Sequence, residues 1–405
     1  MATLSDNGLK GKIISQEEKN RQVIDLLVGS ILSQEEYEGR SSKRGLLPDR
    51  SIMTSRPSIG ITLPRISPFS CFVVDPEPSE DQIQGASLEL RVGDELFIMK
   101  GEFTSLAPED IPRYAKKRKE IKEGEEVLLK PGSVYVVKSL EKLRIPNNYY
   151  GISDARSSLA RIGCGGCAAT TRNGIIDGGF YNKEPEFVYF KIEPQAFPII
   201  LKRGETRPIQ IRFRENGSGP LGAKEIEKIY GKQVILKDNK NTIEFNHNLL
   251  DENGLVLRLN TLRYYVQKRN VKTPIDISKK DYYNPEEFFD YVENGESVIL
   301  NPNRLYLFGT KENISFDKMV CGDLVRSPDT LGQGLSNNFA RFFDPGFSGE
   351  VTLEVWVYKD TPWQLFDGQY FGRILIERLD SEPLKSYEGT YKGQRAPRLP
   401  KMFKQ

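Results

Sequence analysis

From about residue 46 the chain is written in short apolar runs separated by turn-forming residues. SLELRV, VLLKPGSVYVV, FVYFKI and FPIILKRGETRPIQIRF set Val, Ile, Leu, Phe and Tyr among Gly, Pro, Asn and Asp. Runs of this length predict many short strands, and so an all-β sandwich or barrel rather than alternating strands and helices. Residues 1–45 differ. Ser15 and Glu18 form a capping-box pattern, and Val23, Leu26, Leu27 and Ile31 follow at helical spacing. A helical arm is expected there, packed on the body or on a neighbouring subunit, with SSKRG as a linker.

The strand pattern repeats. EEVLLKPGSVYVVKSLEKLRIP and ESVILNPNRLYLFGTKENISFD both read as strand, Pro-centred turn, strand and charged turn. LELRVG around Arg91 resembles LVLRLN around Arg258, and GIIDGGF around Asp177 resembles RFFDPGF around Asp344. Pro131 precedes Arg156 by 25 residues and Asp177 by 46, while Pro302 precedes Arg326 by 24 and Asp344 by 42. Landmarks in one order at near-equal spacing indicate a duplicated β domain. The expected organisation is a first domain over 46–215, a Gly-, Lys- and Asn-rich linker over 216–250, and a second domain over 251–385. A helical insertion is expected at 276–294, and residues 386–405 form a tail.

Composition narrows the function classes. A chain of 405 residues suits two domains, and 28% charged with 38% hydrophobic residues suits soluble cores. The formal net charge of +2 argues against a bulk field for polynucleotide or membrane, so any anion site is local. No apolar run approaches the roughly 18 residues of a membrane span. MATLSDNGLKGK lacks the apolar core of a secretory signal, and a cytoplasmic protein is expected. The four cysteines do not make a disulfide scaffold. Cys164-Gly-Gly-Cys167 is half of a zinc pattern without its other half, and His247 is the single histidine. No P-loop, dinucleotide fingerprint or Ser-His-Asp set is present.

Two stretches carry candidate chemistry. Arg156, Ser157, Ser158 and Arg161 stand beside glycines at 163, 165 and 166. Guanidinium forks, hydroxyls and backbone N–H groups are what phosphate oxygens require, although a solvated turn can share that composition. Asp344-Pro345-Gly346 gives a turn, after which Val351, Leu353 and Val355 alternate with Thr352 and Glu354. Glu354 therefore lies on the strand face opposite Leu353. That face is either a solvated surface or a pocket, and in a pocket desolvation would make Glu354 a general base and acid.

ARSSLARIG, DPGFSGEVTLE, KSYEGTYKGQRAP, GASLELRVG and GLLPDRSI resemble the deoxycytidine triphosphate (dCTP) deaminases, relatives of the trimeric dUTPases. The double-length arrangement resembles two-domain members, through ILNPNRLYLFGTKE, RFFDPGF and FDGQYFGRILIERL, and the likeness covers roughly residues 45–400. It implies tandem dUTPase-like β-barrel or jelly-roll domains. The implied reaction is zinc-independent hydrolysis at cytosine C4, converting dCTP to dUTP and ammonia in dUTP and dTTP biosynthesis. By the resemblance, Glu354 activates water and Arg161 orients it. Arg156, Ser157 and Ser158 hold the triphosphate, and Asp344, Phe347 and Gln369 contribute to substrate binding. Tyr387, Tyr391, Lys392 and Gln394 belong to a tail that closes over the ligand, where Arg395, Arg398 and Lys401 would add positive charge. Magnesium is implied on the nucleotide phosphates, dTTP as an inhibitor, and a homo-oligomer built on a trimer.

The copies depart from the family pattern in complementary ways. The first has Lys191 where the catalytic glutamate aligns. The second reads Arg326-Ser327-Pro328, with Leu331 where the orienting arginine belongs. Neither copy alone holds a full site. The first is expected to lend its phosphate loop to Glu354 of the second, within one chain or between chains. Two alternatives stand beside this reading. One is a dUTPase or a deaminase that also releases pyrophosphate, suggested by the turn at Asp177. The other is a degenerate nucleotide-binding regulator, suggested by Lys191 and Leu331.

Overall fold

The computed structural model describes residues 73–404, apart from 105, 146, 148, 170–178, 239–240, 246, 252–253, 294, 327–334, 338, 359, 380–382 and 384. The expected N-terminal helix, Asp177, Ser327, Pro328 and Leu331 lie outside the described residues. No helix among the described residues is long and apolar enough to cross a membrane.

The architecture is all-β, as the run pattern predicts. In the first unit, one sheet runs Ala115–Glu120, Val92–Met99, Tyr135–Arg144, Glu186–Pro194, Cys164–Ala168. A second runs Leu88–Leu90, Ile209–Glu215, Tyr149–Ala155, Gly179–Phe180. In the second unit the main sheet includes Leu335–Asn337, Leu353–Val357, Leu305–Thr310, Gly254–Gln267, Tyr370–Arg378 and Val320–Arg326. Alternate residues of Glu186–Pro194 are buried, as expected where one face of a strand meets the core.

The duplication is visible bond by bond. Arg91 donates from its backbone N and Nε to Glu141 at 2.9 and 2.6 Å, and Arg258 does the same to Glu312 at 2.8 and 2.6 Å. The Tyr135 hydroxyl accepts from Lys130 N at 2.8 Å, and the Tyr306 hydroxyl from Asn301 N at 2.8 Å. Val188 N donates to Ser139 Oγ at 2.8 Å, and Val351 N to Thr310 Oγ1 at 3.0 Å. This last pair places Lys191 and Glu354, each three residues further on, at equivalent positions.

Two large cores lie beneath these sheets, one centred on each unit. Leu90, Val137, Phe190 and Ile211 are in one, and Leu257, Phe308, Leu353 and Ile374 in the other. The strand Leu353–Val357 is buried on both faces. Leu353, Val355 and Val357 enter the second core, while Trp356 enters the first. Glu354 shares the face of Trp356, so it points toward the first unit, not toward solvent.

Three segments differ from expectation. From Leu221 onward the expected linker belongs to the second core: Leu221, Ile226, Ile229, Val234 and Leu236 are buried there, and Val234–Asp238 pairs with Glu312–Phe316. The insertion is not a regular helix. Phe289–Glu293 is a strand paired with Arg263–Gln267, preceded by a single 3-10 turn at Pro285–Glu287. The tail end is part of the first core through Leu399, Met402 and Phe403. Phe403 meets Phe288 and Phe289 with ring centroids at 5.2 and 5.5 Å, so the insertion anchors the tail.

Candidate active site

A cavity of about 220 Å³ lies between the two units and beneath the tail. The first unit contributes Arg156, Ser157, Ser158 and Arg161, and the second contributes Asp344, Phe347 and Glu354. Tyr387, Tyr391 and Gln394 complete it from the tail. One chain thus brings together the two half-motifs that the sequence holds far apart.

The phosphate-loop candidate starts where the strand Tyr149–Ala155 ends. Arg156 keeps extended backbone and precedes the single helical turn Ser157–Ala160, which Arg161 terminates. Glu89, on the neighbouring strand Leu88–Leu90, holds Arg156 Nε at 2.7 Å and also faces Arg207 at 3.5 Å. Burial pushes the Glu89 carboxyl up, and these two guanidinium groups oppose that shift.

Arg161 is 5% exposed and is gripped by the tail. Its Nη1 donates to Gln394 Oε1 at 3.2 Å and to Arg398 O at 2.7 Å, and its guanidinium lies 3.7 Å from the Tyr391 ring centroid. The Tyr391 hydroxyl is 2.9 Å from Ser158 Oγ. The tail can lie this close because the DPGFSG turn is bare. Gly346 and Gly349 have φ of 81° and 134°, and a Cβ on Gly349 would stand 2.9 Å from Gln394 N.

Glu354 is 2% exposed, and its Oε1 is 3.9 Å from Arg161 Nε. Burial raises its carboxyl to about 8 against the pull of Arg161, with the nearby Asp154 carboxyl adding to the rise. Asp154 is itself raised by burial to about 7. Glu354 Oε2, Glu89 Oε2, Asp344 Oδ1 and Arg161 Nε are buried without a hydrogen-bond partner among the described residues. Buried polar groups are normally satisfied, so four such atoms around one cavity mark a place built for a polar ligand.

Asp344 faces Arg212 of the first unit at 3.5 Å, and burial raises its carboxyl. Arg212 is 1% exposed. It donates to Gly322 O at 2.8 Å and Phe343 O at 2.6 Å, and its guanidinium stands 4.3 Å from the Phe342 ring centroid. Phe347 packs between Phe343 and Tyr387, at centroid distances of 5.1 and 5.7 Å.

Two expected site residues stand apart. Gln369 closes the turn before Tyr370–Arg378, where its Oε1 accepts from Phe366 N at 3.0 Å, and it does not line the cavity. Lys392 extends along the tail surface to Glu388 at 2.5 Å. Conversely, Glu89, Gln210, Thr352 and Arg212 surround the site without having been singled out. Their only sequence signal is a polar residue within an apolar strand or, for Thr352, just before one. Cys164 and Cys167 lie on a strand beside Lys191 outside the cavity lining, and burial raises both thiols.

Two duplicated β units that share one polar, largely buried cavity define a class of small-molecule site assembled between repeats. The chain belongs to the dCTP deaminase-like family, whose model matches residues 72–216 and again 223–379. The dCTP deaminase of Aeropyrum pernix is 34% identical over 152 residues, covering 38% of this chain and 82% of its own. A Salinispora tropica protein described as "dCTP deaminase, dUMP-forming" is 33% identical over 162 residues, covering 38% of this chain and 81% of its own. The crystal structure of 2'-deoxycytidine 5'-triphosphate deaminase from Agrobacterium tumefaciens shares the fold, with a TM-score of 0.68 at 23% identity. The match covers 84% of this chain and 99% of that one.

Proposed function

We propose that this protein hydrolyses the exocyclic amine of dCTP, giving dUTP and ammonia. One observation carries the reading: Arg156, Ser157, Ser158 and Arg161 of the first unit and Glu354 of the second line one cavity in a single chain. In the proposed reaction Glu354 takes a proton from water as the oxygen attacks C4. The proton passes to N3, a second transfer goes to the amine, and the C4–N bond breaks to release ammonia. A carboxyl raised to about 8 suits both the accepting and the donating step near neutral pH. Arg161, 3.9 Å away, orients Glu354 and the water and stabilises its ionised form. The Arg156–Ser158 loop takes the phosphates, and the turn from Asp344 to Phe347 takes the sugar and base.

Magnesium, when bound, would screen the phosphate charge. Among the described residues the phosphate lobe offers it no dedicated set of protein ligands, because its carboxylate, Glu89, is shared between Arg156 and Arg207. The triphosphate oxygens would therefore hold the ion.

The test is incubation with dCTP and magnesium, with products resolved by chromatography. Formation of dUTP and ammonia by the wild type and none by Glu354→Gln supports the reading. Deoxyuridine monophosphate and pyrophosphate would give the dUMP-forming version, the activity in the name of the Salinispora relative. Intact dCTP after prolonged incubation overturns the reading.

A further inference from the structure

The charges around the cavity can be matched in pairs. Arg161 faces Glu354 at 3.9 Å, Arg156 meets Glu89 at 2.7 Å, and Asp344 faces Arg212 at 3.5 Å. Lys401 also lines the cavity and is left over. Among the described residues, no carboxylate lies within 4.0 Å of its ammonium. Burial and the repulsion of Arg156 lower that ammonium to about 8, with Arg207 and Lys280 adding to the repulsion and Glu89 opposing it. Glu89 already serves both arginines.

The position of Lys401 is fixed by its neighbours. Its backbone N donates to the Tyr391 hydroxyl at 3.2 Å, and its carbonyl accepts from Asp281 N at 2.9 Å. Met402 and Phe403, which follow, are fully buried. A half-buried cation held beside other cations, with no carboxylate partner among the described residues, is an arrangement completed by an anion.

We propose that Lys401 is a phosphate-binding residue of this site. With Arg156 and the Ser157–Ser158 hydroxyls it takes the polyphosphate chain of a nucleoside triphosphate, and so favours triphosphates over monophosphates. The assignment rests on the nucleotide reading of the cavity. A phosphate oxygen between Lys401 and Arg156 converts their repulsion into two charge-assisted hydrogen bonds. A monophosphate anchored by its base and sugar reaches fewer of these donors. Lys401 lies beyond residue 379, where the family model ends, so this contact belongs to the chain's own C-terminal segment.

Calorimetric titration of the full-length protein with inorganic tripolyphosphate tests the assignment directly. Loss of one charge-assisted bond corresponds to about a tenfold weaker affinity in Lys401→Met, largely restored in Lys401→Arg. With dCTP, Lys401→Met should raise KM by a similar factor at nearly unchanged kcat, and Lys401→Arg should bring KM most of the way back. Should Lys401→Met melt early, Lys401→Gln replaces it. Equal tripolyphosphate affinity in the wild type and the neutral variant overturns the assignment. Lys401-dependent binding of tripolyphosphate by a wild type that leaves dCTP intact overturns the deaminase reading while keeping the assignment.

Discussion

Lys191 and Glu354 occupy the same position in two copies of one β unit, yet their surroundings differ completely. The equivalence rests on matching bonds, from Val188 N to Ser139 Oγ and from Val351 N to Thr310 Oγ1. Lys191 is tied to Glu193, faces Glu102 at 3.6 Å, and donates to Phe103 O at 3.3 Å. Glu354 is sealed between the two units, beneath the tail, with Arg161 as its nearest cation. A half-buried lysine tied to carboxylates keeps its charge, whereas a carboxyl raised by burial is poised to exchange a proton near neutral pH. The difference arises from what each strand faces: Glu354 looks at the other copy, and Lys191 looks at local loops.

The largest expected effect comes from Glu354. Glu354→Gln should lower dCTP turnover by about 10³-fold, within the range of a lost general acid–base group. The same variant should melt higher than the wild type. A carboxyl raised from 4.5 to about 8 on folding stabilises the native state below 4.5, and that contribution is lost as pH rises through 8. The gain in Tm of Glu354→Gln should therefore be larger at pH 9 than at pH 5. An equal gain at both would refute the raised carboxyl. In the wild type, kcat/KM should climb with pH to an inflection near 8 in the free enzyme. A flat profile through that range would remove Glu354 as the base.

Next in size is Arg212, which joins the first unit to Gly322, Phe343 and Asp344 of the second. Arg212→Met leaves Asp344 buried without its cation, a change that costs about 3–5 kcal/mol when a buried pair loses one partner. Urea denaturation should read that loss. A loss below roughly 1 kcal/mol would show that Asp344 is carried neutral, without need of the pair.

Local motifs were legible in the sequence, and partners were not. The loop at Arg156 and the turn at Asp344 each read as chemistry because a few adjacent residues suffice. The complementary departures at Lys191 and Leu331 also pointed to a shared site. Arg212 gave no such signal, since its partners in the second unit are more than a hundred positions away. The supposed linker misled through its Gly, Lys and Asn content. Among the described residues there, Leu221, Ile226, Ile229, Val234 and Leu236 are the buried apolar ones, too few to stand out in a polar stretch. YYNPEEFFDYVE suggested a helix, but the free edge of Arg263–Gln267 takes Phe289–Glu293 as a strand, a case of tertiary pairing overriding local pattern. Gln369 was read from a motif likeness, and its amide serves its own turn.

The smallest expected effect is also the sharpest test of the comparison. If position alone made the catalytic group, Lys191→Glu would rescue a Glu354→Gln protein. It should not. A glutamate at 191 would join Glu193 and Glu102 in a cluster of carboxylates, whereas Glu354 has Arg161 beside it. Lys191→Ala in the otherwise wild-type chain should leave dCTP turnover within about twofold and cost about 1 kcal/mol, the scale of a partly exposed ion pair. Recovery of turnover in the double variant would mean that the first unit retains a working half-site of its own. In that case the division of labour between the copies would be a matter of one side chain, not of the faces that their strands present.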